Sequence, residues 1–106
     1  MLILNRDQRG GGDRELGRKT LGALLRKITH HVAHLSAIAF YNSGVKLLAA
    51  DSEFLGDFTH LLESGVALLP CGTCLDHYGI TLAIGEPADM DAILAELARA
   101  AKTITL

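Results

Sequence analysis

The chain has 106 residues, which suits one small domain spanning residues 1–106 with a single core. Its 10 lysines and arginines against 12 aspartates and glutamates leave no basic surplus for nucleic acid or an anionic membrane. Hydrophobic residues make up 49% of it, and leaving out the 2 tyrosines and adding the 11 glycines gives about 61 residues, above the usual ~45–50% for that set. This surplus predicts apolar surface that one copy cannot bury and therefore a homo-oligomer.

The first third of the chain predicts a strand, a helix and a second strand. Met1–Leu4 is apolar and ends at the polar, glycine-rich loop Asn5–Gly12. Asp13 can cap a helix by accepting a backbone N–H bond. Leu35–Tyr41 is apolar enough for a strand that is buried on both faces. The helix residues that recur on one face, which we expect to pack on the core, are Leu16, Thr20, Ala23, Leu24 and Ile28.

The remaining residues predict three more strands and three more helices. A loop at 42–51 precedes a core-facing helix that begins at Ser52 and ends at Gly65. A short helix is expected at Thr73–Tyr78, and the last helix presents Met90, Ile93, Leu94 and Leu97. The remaining predicted strands are residues 66–69, 80–84 and 103–106.

Alternation of strands and helices with short connections favours right-handed crossovers and a parallel sheet. The predicted fold is therefore a three-layer α/β/α domain with a mostly parallel sheet of about five strands. No apolar stretch reaches the ~18 residues that cross a bilayer, so no membrane partner is expected. The opening residues lack the pattern of a signal peptide, which favours a cytoplasmic protein with reduced thiols.

Two cysteines stand three positions apart after the third predicted strand, in the stretch LLPCGTCLDHYGI. In parallel sheets, reacting groups collect beyond the carboxyl ends of the strands, and Cys71 falls at such an end. A helix beginning there favours an anion, which lowers the pKa of a thiol and exposes a reactive thiolate. We expect Cys71 to open onto solvent and Cys74 to lie in the first turn of the helix. Two core thiols without chemistry are the alternative.

The loop after the second strand points to the same edge of the sheet. It offers an amide, a hydroxyl, a glycine that permits close approach and a cation, from Asn42, Ser43, Gly44 and Lys46. Together with Gly72 and Thr73, these residues are candidates for binding a small anionic or polarised group, with Lys46 holding the Cys71 thiolate. The same loop residues also fit an ordinary turn.

We expect neither a metal nor a cofactor. Cys71, Cys74 and His77 follow C-x-x-C-x-x-H spacing, but a closed zinc site needs a fourth ligand and the sequence has no second pair. Three further histidines, His30, His31 and His34, could face one metal if the first helix continued that far. They fit better as solvated groups near a helix end, where a positive charge complements the dipole.

Four stretches, in this order, resemble the DsrE/DsrF-like domain found as the C-terminal half of the YedF selenium-metabolism proteins. The resemblance runs through nearly the whole chain, and its most specific parts are the loop 42–46 and the segment 71–79. The four stretches are GGGDRELG, FYNSGVKLL, GVALLPCGTCLDHYGI and IGEPADMDAI.

This resemblance implies a five-stranded parallel α/β fold, frequent oligomers and a cysteine that carries a persulfide between sulfur-relay proteins. In characterised members that cysteine stands eight positions before a glycine and an aliphatic residue, as Cys71 does before Gly79 and Ile80. The chain departs from the YedF pattern in two ways. The 106 residues contain no Cys-Pro-x-Pro motif of the kind found in the sulfur-carrier domain, and the segment 86–90 replaces a Ser-Asn-Met sequence.

The resulting prediction is a sulfur-relay protein that exchanges sulfane sulfur with separate donor and acceptor proteins. Cys71 would carry the sulfur and Cys74 would resolve it by forming a disulfide. One alternative is a non-catalytic subunit that binds a small ligand or a protein. Another is a thioredoxin-type dithiol oxidoreductase, which is disfavoured because its cysteine pair normally follows the first strand of the core fold.

Overall fold

The sheet of this protein is parallel throughout. The computed structural model describes residues 1–31 and 34–106, and within those ranges the four strands follow the order β3-β2-β1-β4. The strands are β1 Leu2–Leu4, β2 Ala37–Phe40, β3 Ala67–Pro70 and β4 Ile104–Thr105. The predicted α/β class with a parallel sheet is confirmed.

The predicted strand at 80–84 is wrong, so the described sheet has four strands and not five. Leu82 makes only an isolated antiparallel bridge to Ala49, and the Ala83 N–H donates to the Leu48 carbonyl at 2.9 Å. The alternating side chains Ile80, Leu82 and Ile84 still pack against the core as half-buried residues. Alternation therefore indicated the buried side of the segment correctly, but its backbone pairs outside the sheet.

Helices cover both faces of the sheet. The α-helices are α1 Arg14–His31, α2 Leu55–Glu63, α3 Gly72–Tyr78 and α4 Met90–Arg99, and a 3₁₀ helix occupies Asn42–Leu48, which the sequence predicted as loop. Asp13 caps α1 as predicted, with its carboxylate accepting the Leu16 N–H at 2.8 Å. Within the described residues, no helix combines the length and the apolar composition needed to cross a membrane.

The two faces of the sheet bury side chains of different size. Helices α1 and α2 cover a face of large residues, where the Phe40 and Phe58 rings meet edge to face with centroids 5.2 Å apart. Helix α4 covers the other face through Ile93, which is fully buried. The buried residues on the α4 side are mostly small, and they are Met1, Ala37, Ala39, Cys71, Ala88 and Ile93. This thinner layer contains the first cysteine.

Helix α1 is rotated relative to the predicted face. Leu21, Leu25 and Ile28 pack into the core, whereas Leu16 is 63% exposed. The rotation follows from Gly17, whose missing Cβ would lie 2.9 Å from the Arg9 carbonyl oxygen. Because the loop before α1 folds back onto this glycine, the helix turns its Gly17 side inward and leaves the Leu16 side in solvent.

Candidate thiol site

The first cysteine directly continues strand β3. Cys71 is the residue before α3, and its N–H donates to the Phe40 carbonyl at 2.9 Å, so the pairing of β3 with β2 extends one residue past the strand. A parallel bridge joins Cys71 to Ala88 on its other side. These backbone bonds hold Cys71 at the carboxyl end of the sheet, where the sequence predicted it.

Cys71 is buried, contrary to the expectation that its sulfur opens onto solvent. Its residual exposure is 6%, since it belongs to the small-residue layer under α4. It nevertheless forms part of the wall of a surface cavity of about 360 Å³. The remaining residues of that wall are Gly72, Thr73, Pro87, Ala88, Asp89 and Met90.

Cys74 is half-buried and lies in the first turn of α3, as predicted. Its Sγ accepts the Asn42 N–H at 3.2 Å, which ties α3 to the end of β2. Both cysteines are free thiols. Burial raises the pKa of Cys74, the Asn42 N–H opposes that effect, and the hydrogen bond and charge of Cys71 raise the pKa further. The expected lowering of a thiol pKa by the helix end is therefore wrong for Cys74.

Tyr41 is a member of the site that the sequence reasoning did not select. It follows β2, and its half-buried side chain packs against the small-residue layer that contains Cys71. Burial raises the pKa of the Tyr41 phenol, and the charges of Cys71 and Cys74 raise it further. The signal available in the sequence was its position, because Tyr41 ends the second strand as Cys71 ends the third.

The residues of the predicted Asn42–Lys46 loop are engaged mainly with the protein itself. Asn42 adopts φ +48°, a left-handed conformation that asparagine tolerates. The Ser43 hydroxyl oxygen accepts the Asp7 N–H at 3.2 Å. A Cβ on Gly44 would lie 2.2 Å from the Leu4 carbonyl oxygen, so this glycine permits contact with β1. These contacts fit the alternative that the sequence also allowed, an ordinary turn.

Lys46 interacts with an aromatic ring and with an acidic side chain. Its Nζ lies 4.6 Å from the centroid of the Tyr78 ring, in a cation–π contact. Burial opposes ionisation of Asp7, but the hydrogen bond and charge of Arg14, a backbone hydrogen bond and the charge of Lys46 together lower the pKa of Asp7. The expected contact of Lys46 with the Cys71 thiolate stays a prediction.

Gly72 and Thr73 both line the cavity beside Cys71. The Gly72 N–H donates to the Ala88 carbonyl at 3.1 Å, and the Ala88 N–H donates to the Pro70 carbonyl at 2.8 Å. The segment around Ala88 therefore runs along the edge of β3 and closes one side of the cavity. Of this predicted pair, Thr73 is the residue that is exposed to solvent.

The described residues bring no three histidine, cysteine or acidic side chains together in a way that could hold a metal ion. His77, the third member of the C-x-x-C-x-x-H spacing, is exposed and contacts the Tyr78 ring edge to face with centroids 5.0 Å apart.

Comparison with known proteins identifies structural neighbours only. No protein-family model matches the chain, and no curated protein is significantly similar to it in sequence. It is similar to the protein of unknown function MTH1491 from Methanobacterium thermoautotrophicum, with a TM-score of 0.69 and 20% identity over 99% of this chain and 96% of that chain. It is also similar to the ychN protein from E. coli, with a TM-score of 0.68 and 16% identity over 99% of this chain and 97% of that chain. At these identities the similarity establishes the fold, a parallel sheet between helices.

Proposed function

We propose that this protein is a sulfur-relay protein of the DsrE/DsrF-like type, in which Cys71 carries sulfane sulfur as a persulfide. The observation that carries the proposal is the placement of two free thiols at the carboxyl end of β3, with Cys71 in the wall of a surface cavity. The resemblance of the segment 71–79 to that family supports the same cysteine. The similar structures support the fold that such a role requires.

The transfer needs no cofactor. The Cys71 thiolate attacks the outer sulfur of a donor persulfide, the donor S–S bond breaks, and the donor thiolate leaves. An acceptor thiolate then attacks the same outer sulfur, and the Cys71 thiolate leaves. Alternatively, the Cys74 thiolate attacks Cys71 Sγ, which forms an intramolecular disulfide and releases hydrosulfide.

A low-molecular-weight hydropersulfide tests this assignment. We expect intact-mass spectrometry to show one added sulfur atom per chain, located on Cys71 by fragmentation and removable by a reductant. The Cys74→Ser variant should load as the wild type does, whereas Cys71→Ser should not load. Circular dichroism of each variant verifies the fold. Equal loading of the Cys71→Ser variant would show that Cys71 is not the carrier.

A second candidate function follows from the burial of Cys71, which is typical of a thiol that only packs. In that case the protein is a non-catalytic subunit for a small ligand or a protein partner. Failure of the wild type to load, with both thiols resisting alkylation until the protein is unfolded, would favour this function. Self-association stays a prediction. Light scattering tests it by measuring the mass of the protein in solution.

A further inference from the structure

We propose that the Tyr41 hydroxyl donates a hydrogen bond to the sulfur anion at Cys71, and so holds the persulfide in its reactive ionised form. This role rests on the proposed sulfur relay. The hydrogen-bond donor is then the neutral phenol of Tyr41, whereas the sequence suggested the Lys46 ammonium.

The register of the sheet makes Tyr41 and Cys71 neighbours. Strands β2 and β3 pair in parallel as far as Phe40 beside Pro70, so the next pair along the ladder is Tyr41 beside Cys71. The hydrogen bond from the Cys71 N–H to the Phe40 carbonyl shows that the ladder continues that far. Adjacent strands lie about 4.8 Å apart. The register therefore places the two residues side by side.

Both side chains project from the same face of the sheet. Side chains alternate along a strand, so Tyr41 shares its face with Ala39 on β2, and Cys71 shares its face with Leu69 on β3. The packing agrees, because all four residues belong to or pack against the layer under α4. The small side chains of that layer leave room for the phenol ring alongside the sulfur.

The backbone around Tyr41 is fixed by hydrogen bonds on both sides. Its own N–H donates to the Leu4 carbonyl at 3.0 Å. The carbonyl before it accepts the Cys71 N–H, and the N–H after it, from Asn42, donates to Cys74 Sγ. Tyr41 is thus bracketed by bonds to both cysteine residues, and only its side-chain torsions remain to place the hydroxyl.

The chemistry of a phenol suits this position. Because burial and the neighbouring cysteine charges raise the pKa of Tyr41, the hydroxyl stays protonated and available as a donor at neutral pH. A persulfide places its outer sulfur, which carries negative charge when ionised, about 2 Å beyond Sγ. The ammonium of Lys46 is meanwhile stacked on Tyr78. A hydrogen bond to an anion is stronger than one between neutral groups, so its loss should be measurable.

The test compares Tyr41→Phe with its parent in a chain that carries Cys74→Ser, so that Cys71 is the remaining thiol. Cys71 is loaded with inorganic polysulfide, and iodoacetamide alkylation of the persulfide is followed by mass spectrometry across pH. We expect the pH of half-maximal rate to rise by roughly one unit, so that alkylation falls about tenfold at pH values below both midpoints. The control is Tyr78→Phe, which removes the chain's other phenol and should leave the profile unchanged.

An unchanged profile in Tyr41→Phe would overturn the inference. The inference would also be overturned if Tyr41→Leu lost rapid alkylation of the persulfide while Tyr41→Phe kept it, because the ring would then act only by packing. If Cys71 takes up no sulfur at all, the sulfur relay fails, but the same comparison made on the unloaded thiol still decides whether Tyr41 acts on that sulfur. With the persulfide or with the unloaded thiol, we expect the pH of half-maximal alkylation to rise in Tyr41→Phe.

Discussion

The segments that follow β2 and β3 end neighbouring strands at the same edge of the sheet, yet they use their polar groups differently. After β2, the Ser43 hydroxyl accepts the Asp7 N–H and the Gly44 position contacts the Leu4 carbonyl. After β3, neither thiol forms a disulfide, and although Cys74 Sγ accepts the Asn42 N–H, Cys71 lines a surface cavity. Groups with internal partners hold loops together, whereas free groups beside a cavity are available for chemistry.

The contrast shows that a shared sheet edge does not make every polar residue there a binding residue. Asn42 connects the two segments, because its N–H donates to Cys74 Sγ. The β2 segment therefore contributes to the thiol site through its backbone, while its side chains maintain the fold. Substitutions in the two segments should accordingly affect different properties.

The largest expected effect comes from adding a methyl group to Gly44. In Gly44→Ala the new Cβ would lie 2.2 Å from a backbone oxygen of β1, so the loop and the strand must separate. We expect the free energy of unfolding in urea to fall by about 3 kcal/mol. The matched control is Gly72→Ala, whose Cβ would have its nearest neighbour at 3.7 Å and should change stability by less than about 0.5 kcal/mol. Similar losses in both variants would refute the proposed division of roles.

A smaller effect is expected from Ser43→Ala. This variant removes the acceptor of the Asp7 N–H, and Asp7 is buried. Leaving a buried donor unsatisfied should lower the free energy of unfolding by about 1 kcal/mol. Ser64→Ala serves as the control, because the Ser64 hydroxyl donates to the His60 carbonyl at an exposed helix end. An effect of Ser43→Ala no larger than that of the control would show that water replaces the lost acceptor.

Much of the fold followed from the sequence because its signals are local. Apolar runs predicted β1, β2 and β3. The ends of those runs predicted that the cysteines and the 42–46 segment would lie at the same edge of the sheet. The strand at 80–84 failed because alternation reports which side chains are buried and not where the backbone finds its partner. The predicted face of α1 held at Leu24 and Ile28, which pack on the core, but failed at Leu16, because the fold of the preceding loop onto Gly17 is a tertiary contact.

The candidate site was predictable in position but not in environment. The strand-end rule placed Cys71, whereas its burial depends on Ala88 and Ile93, which come from a segment some twenty residues later in the chain. Tyr41 was missed because it was counted as the last residue of an apolar strand. Only the register of β2 against β3 shows that it stands beside a cysteine.

The smallest expected effect concerns the ionisation of Cys74. Burial is the main cause that raises its pKa, and the hydrogen bond and charge of Cys71 add to it. The pH of half-maximal alkylation of Cys74 should therefore lie above the ordinary value of 9.0. In Cys71→Ala that pH should move down, because the hydrogen bond and charge of Cys71 are lost while burial remains.

Site-resolved mass spectrometry of iodoacetamide adducts gives this profile for each cysteine. A Cys74 profile that does not move in Cys71→Ala would mean that the two sulfurs do not interact. The raised pKa of Cys74 has a consequence for the proposed relay, since only a thiolate attacks a sulfur atom. With Cys74 protonated at neutral pH, its attack on a Cys71 persulfide is slow, and the sulfur persists long enough for an external acceptor to collect it.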